Sequence, residues 1–90
     1  MQIEVIQNPA EAIIEQHGCH SWSIWEKEIS NFPWFYDSTE VCLILEGEVT
    51  VTPDDGKAVK IVAGDLVTFP AGMACTWDIT SPIRKHYKFL

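Results

Sequence analysis

Basic residues are scarce in this chain: six Lys and Arg stand against thirteen Asp and Glu in 90 residues, a formal charge of −7. Neutralising phosphates requires a basic face, so no nucleic-acid partner is expected. Long apolar runs are missing too. No stretch approaches the roughly 20 residues of a membrane-spanning helix, so no membrane partner is expected either. The start, Met1-Gln2-Ile3-Glu4-Val5, has neither the basic residues nor the apolar stretch of a secretory signal, which points to the cytoplasm. Cysteine is sparse and odd in number. Cys19, Cys42 and Cys75 are widely spaced with no Cys-x-x-Cys pair, a pattern unlike a disulfide framework or a zinc ribbon. Free thiols are expected.

What is present is apolar and aromatic: 47% hydrophobic residues, with four Trp and four Phe. A chain this short buries roughly 60–65% of its unfolded surface, so it needs a dense core to fold unaided. The composition supplies one and argues against intrinsic disorder. One domain over 1–90 is expected. Charge is uneven, with eleven acids and one base (Lys27) in 1–56 but two acids and five bases in 57–90. No Gly/Ser/Pro-rich linker falls near residue 56, so this asymmetry marks no domain boundary. A sheet interleaving early and late strands would bring the two sets together.

One segment reads as helix, over 9–17. Asn8 can cap it, Pro9 suits its first position, Ala12, Ile13 and Ile14 would pack inward, and Gly18 fits the stop. The rest reads as β, in runs at about 22–29, 32–37, 40–46, 48–52, 58–62, 66–69, 74–79 and 83–89. Pro53-Asp54-Asp55-Gly56 is the clearest hairpin, with Gly56 expected at positive φ. Short strands at this spacing suggest a closed barrel or a two-sheet jelly roll. In 40–46, Val41, Leu43 and Leu45 form one face, and Glu40, Cys42, Ile44 and Glu46 the other. With both faces covered this would be a central strand.

Glu40 followed after six residues by Gly47, then Gly64 followed after five by Pro70-Ala71-Gly72, resembles the two cupin motifs in order and spacing. Trp22–Ser30, Phe35-Tyr36-Asp37, Gly64–Pro70 and Arg84-Lys85-His86-Tyr87 extend the likeness over about 22–88. The chain thus resembles small single-domain cupins related to ureidoglycine aminohydrolase and ethanolamine-utilisation cupin domains. The resemblance implies an all-β cupin barrel (jelly roll) with one short N-terminal helix, a site at the open end, and a homodimer.

In metal-binding cupins the first motif contributes a His-x-His pair and a carboxylate, and the second one more His. Three imidazoles and a carboxylate suit a transition metal. Here Trp34 and Tyr36 stand at the paired His positions and Cys75 at the last; Glu40 alone keeps its type. No cofactor is therefore expected.

Two function classes follow. The first is a small-molecule binding cupin whose ligand is lined by Trp34, Tyr36, Glu40, Cys42, Cys75 and Trp77. The second is an enzyme acting on a small polar metabolite through the candidate catalytic residues Glu40, Cys75 and Tyr36, with or without a weakly held divalent metal. Each residue also has a purely structural reading: Glu40 hydrogen-bonded in the mouth, the cysteines as small core residues, the aromatics as barrel filling. His17-Gly18-Cys19-His20 reads as a helix-end loop, Asp65 as turn chemistry, and His86 as sharing a solvent face with Arg84 and Lys88.

Overall fold

The computed structural model describes residues 2–90. These form strands β1 (Glu4–Ile6), β2 (Ser23–Lys27), β3 (Ser30–Phe35), β4 (Glu40–Pro53), β5 (Val59–Val62), β6 (Leu66–Phe69) and β7 (Ala74–Phe89), with helix α1 (Glu11–His17) and a 3-10 turn at Cys19–Ser21. All strand pairings are antiparallel. The all-β class with one short N-terminal helix is the observed one.

The two long strands organise everything else. β4 and β7 pair from Glu40↔Phe89 to Pro53↔Cys75, and each contributes its two halves to different neighbours. One layer runs β1-β6-β4-β7-β2. In the other, β5 joins β4 over Glu48–Val51 and β3 joins β7 over Ala74–Ile79. The result is a jelly roll bent about the middle of both long strands.

That bend explains why the runs at 40–46 and 48–52 are one strand, and those at 74–79 and 83–89 another. Gly47 has φ 98°, and a Cβ built there would lie 2.1 Å from the Pro82 carbonyl oxygen. The register shifts between Ile44 and Val49 mark bulges at this crossing. Gly47 and Pro82 interrupt the sequence pattern, yet the strands continue through the kink, because a bulge turns a strand without ending it. β1 pairs with β6 and was not anticipated: three residues are too few to show alternation.

The main core holds Cys42, Ile44, Val49, Val51, Ile61, Val67, Phe69, Met73, Ile79 and Ile83 between the layers. Burying a Val, Ile or Phe fully contributes roughly 1.5–3 kcal/mol each. A second cluster of Cys19, Leu43 and Leu66 lies on the other face of β4, covered by Ile14 and Trp22. Residues 40–45 are thus covered on both faces, as a central strand requires. Helix α1 begins later than expected: Ala10 is its N-cap without a side-chain hydrogen bond, and Asn8 takes φ 47° instead. Gly18 ends it in the left-handed region. Ile14 alone turns inward, since seven residues offer one short face; Ile13 and Ala12 remain exposed. The 53–56 turn closes through Gly56 N–H donating to Pro53 O at 3.2 Å, without positive φ at Gly56.

Candidate functional site

Strand alternation along β7 aims Trp77, Ile79, Ile83, Lys85 and Tyr87 inward, and leaves Arg84 and Lys88 exposed. Lys85 is 4% exposed and Glu40 3%. Glu40 heads β4 on the face of Cys42 and Ile44, and Lys85 lies across the β4–β7 ladder opposite Ile44. Lys85 Nζ donates to Glu40 Oε2 at 2.9 Å. A buried charge must be paired or neutralised, and this separation is that of a charge-assisted hydrogen bond. The ammonium also sits 4.8 Å from the Trp25 ring centroid and 4.6 Å from that of Trp77. Both are cation–π distances, strengthened where water is excluded. Trp25 is the cross-strand partner of Lys85 in the β2–β7 register.

Lys85 is the residue that reading the last strand through His86 overlooked. The available signal was phase: Lys85 alternates with Ile83 and Tyr87, not with Arg84 and Lys88. Trp25 was missed likewise.

The pair forms part of the wall of a cavity of about 230 Å³. Trp25, Phe32, Trp34 and Tyr36 enclose one side, and Trp77, Tyr87 and Phe89 of β7 the other. The rings brace one another. Tyr36 stacks on Phe69 at 5.0 Å with 6° between planes, and Phe32 lies nearly parallel to Trp77 at 6.1 Å. Trp25 meets Trp77 edge-on at 5.9 Å. Offset and edge contacts of this kind are the favoured arrangements of aromatic pairs.

Of the residues singled out from sequence, Trp34, Tyr36, Glu40 and Trp77 line this cavity and the two cysteines do not. Cys75 is instead buried in the main core and borders a shallow depression beside Pro33, Phe35 and Asp54, its thiol donating to Trp34 O at 3.6 Å. Cys75 shares the inward face of β7 with Trp77 and Ile79 and is taken up by the core. Cys42 packs within the core beneath Glu40. Its thiol is pushed up to about 12 by burial, partly offset by Lys85. That of Cys75 rises to about 11, through burial first and the charge of Asp54 second. The Trp77 indole N–H finds no hydrogen-bond partner of normal geometry, although it lies near enough to Cys75 to favour the thiolate. Burial, then the Glu40 charge, pushes the Tyr36 hydroxyl far above its ordinary value.

These shifts set a sign for alkaline pH. A thiol pKa raised on folding means that the folded state keeps its proton where the unfolded chain, near 8.5, loses it. Stability from Cys42 and Cys75 is therefore full below about pH 8.5 and declines as pH rises toward their folded values. The denaturation midpoint should fall between about pH 8.5 and 10. A Cys42→Val/Cys75→Val variant should lose much of that fall; an identical profile would contradict the assignment.

The family's metal set does not fit these residues. The Trp34 indole has no free lone pair, Tyr36 holds its proton, and Cys75 is buried in the core and does not line the cavity. The Glu40 carboxylate already accepts from an ammonium, so a cation of the chain's own stands beside it. Among the described residues no three His, Cys, Asp or Glu side chains gather at metal-binding range.

The remaining polar candidates lie elsewhere. Asp65 Oδ2 accepts from Val62 N–H at 3.0 Å, which is turn chemistry. His86 Nδ1 is 3.0 Å from Trp22 O, and its ring meets His20 edge-on. His20 in turn lies 3.4 Å from Glu11 on the exposed surface.

Comparison with known proteins agrees with this architecture. The EutQ-like cupin domain profile matches residues 14–87. A DUF861 family protein from Thermotoga maritima is 45% identical, with a TM-score of 0.95 over 99% of this chain and 100% of that one. The EutQ protein of Clostridium difficile is 21% identical at TM-score 0.66, over 73% of this chain and 52% of that one. A cupin superfamily protein from Desulfitobacterium hafniense is 16% identical at TM-score 0.60, over 96% and 74%. None of the curated proteins matches. Among the described residues no helix is long and apolar enough to cross a membrane. With the profile spanning most of the domain, from α1 to β7, the chain belongs to the EutQ-like cupin family.

Proposed function

We propose that this cupin binds a small, flat, largely apolar molecule carrying one polar group, with the rings as walls and that group turned to the Lys85–Glu40 pair. The observation that carries the reading is the enclosed ion pair on the wall of an otherwise aromatic cavity of about 230 Å³. Binding sites are mostly apolar concavities with a few placed polar groups, and this volume lies below their usual range, so the ligand is small. A buried ion pair is a poor stabiliser compared with apolar residues of the same volume. Barrel filling alone would therefore be served as well by Leu or Met at both positions.

An enzyme using Glu40, Tyr36 and Cys75 together is the less supported reading. Cys75 is buried in the core and does not line the cavity, and the raised thiol and phenol pKa values keep both side chains protonated near neutral pH.

Three of the four tryptophans, Trp25, Trp34 and Trp77, line the cavity, so occupancy should be visible in indole fluorescence. Titration with benzyl alcohol, benzamide and benzoate should give saturable quenching with at least one of them, and glycerol none. The absence of a saturable change with all three aromatic probes would refute the proposal.

A further inference from the structure

The amine of Lys85 has a place in this cavity that ligand binding by itself does not use. We infer that Lys85 captures a small aldehyde or ketone covalently, forming an iminium at Nζ with Glu40 as the proton carrier. The inference rests on the cavity's admitting a small flat molecule, as proposed above, and adds the carbonyl as the group that it takes.

Geometry supplies each part of the step. Lys85 Nζ is a primary amine on the wall of an apolar cavity, and Glu40 Oε2 lies 2.9 Å away. In the first step Glu40 takes a proton from the ammonium, leaving the nitrogen lone pair free. That pair forms the N–C bond as the carbonyl π bond opens to oxygen, and a proton moved from nitrogen to oxygen completes the carbinolamine. Glu40 then returns its proton to the hydroxyl, which leaves as water while C=N forms. One carbonyl compound enters, one water leaves, and no oxidant or reductant takes part.

The product suits the site for the same reason the ammonium does. An iminium carries one positive charge, as the ammonium did, so the Glu40 carboxylate regains its counter-ion and no new charge is buried. The Trp25 and Trp77 faces at 4.8 and 4.6 Å stabilise either cation. A conjugated iminium is planar, as the ring-lined walls require.

The test uses the intact protein with benzaldehyde, and in a second series propionaldehyde, each with cyanoborohydride to fix the adduct as a secondary amine. Mass spectrometry of the whole chain and of its peptides locates the label among Lys27, Lys57, Lys60, Lys85, Lys88 and the N-terminus. Label should accumulate at Lys85 about tenfold or more faster than at the other amines, since the bound carbonyl is held beside the nitrogen. Lys85→Arg keeps a cation beside Glu40 and should lose the fast-forming adduct. Glu40→Gln should slow capture by about 100-fold, the ordinary worth of a positioned acid–base group. Equal capture in that variant would remove Glu40 from the step. Label spread over the exposed amines with Lys85 spared, in both series, overturns the inference whether or not the variants fold. Benzyl alcohol has no carbonyl, so its saturable binding beside a failed capture would leave the binding proposal standing; failure of both would remove both.

Discussion

Glu40→Met should lower the stability of this domain by about 3–5 kcal/mol, because Lys85 would be left as a buried charge without its counter-ion. Lys85→Met should do the same through an unpaired Glu40 carboxylate. A domain of 90 residues has only about 5–13 kcal/mol in all, so either change removes a large share. The double variant Glu40→Met/Lys85→Met should differ from the unaltered protein by no more than about 1 kcal/mol, or exceed it. The three effects are then strongly non-additive, and chemical denaturation of the four proteins measures the coupling directly. Additive losses near the sum of the singles would show that each side chain stabilises the fold through contacts other than their pairing. The exposed pair of Lys60 and Glu48 at 3.5 Å offers the contrast, since exposed pairs of this kind contribute about 0–1 kcal/mol.

The second large effect concerns the bend. Gly47→Ala should cost about 3 kcal/mol or more, from two sources. Its φ of 98° lies where a side chain is strained, and the added Cβ would fall 2.1 Å from the backbone oxygen of Pro82. Backbone cannot step aside as a side-chain tip can. Gly18 separates the two sources: at φ 69° it meets only Ser21 Oγ at 3.7 Å, an ordinary contact. Gly18→Ala should therefore cost only the left-handed penalty of about 1–2 kcal/mol. Thermal or denaturant unfolding of the two variants gives the difference, which reports how closely β4 and β7 cross. Equal losses would mean that the crossing relaxes at little expense. Because Glu40 and Lys85 lie on the same side of this crossing, loosening it should also disturb their register.

Alternation and turn chemistry made much of the fold legible. The β runs after Ser21, the stop at Gly18 and the two-faced burial of 40–45 each follow from local rules about period and φ, and the motif spacing around Glu40, Gly47 and Gly64 pointed to the cupin arrangement. The joining of runs across Gly47 and Pro82 was not legible, because a glycine that ends a strand and one that lets two backbones touch look alike in a sequence. That Cys75 is taken up by the core while Trp77, two residues on and on the same face, lines the cavity depends on three-dimensional packing that no local pattern shows. Sequence determined by itself that this chain is small, acidic and all-β with aromatic residues enough for a core, and that the imidazoles of a metal-binding cupin are missing. Only the tertiary structure decided what stands there instead. Lys85 and Glu40 are 45 residues apart, and a lysine in a terminal strand reads as solvated until its phase is known. Their pairing follows from packing: once β7 turns Ile83 and Tyr87 inward, Lys85 is buried with them, and a buried ammonium is tolerated only where a carboxylate from another strand reaches it.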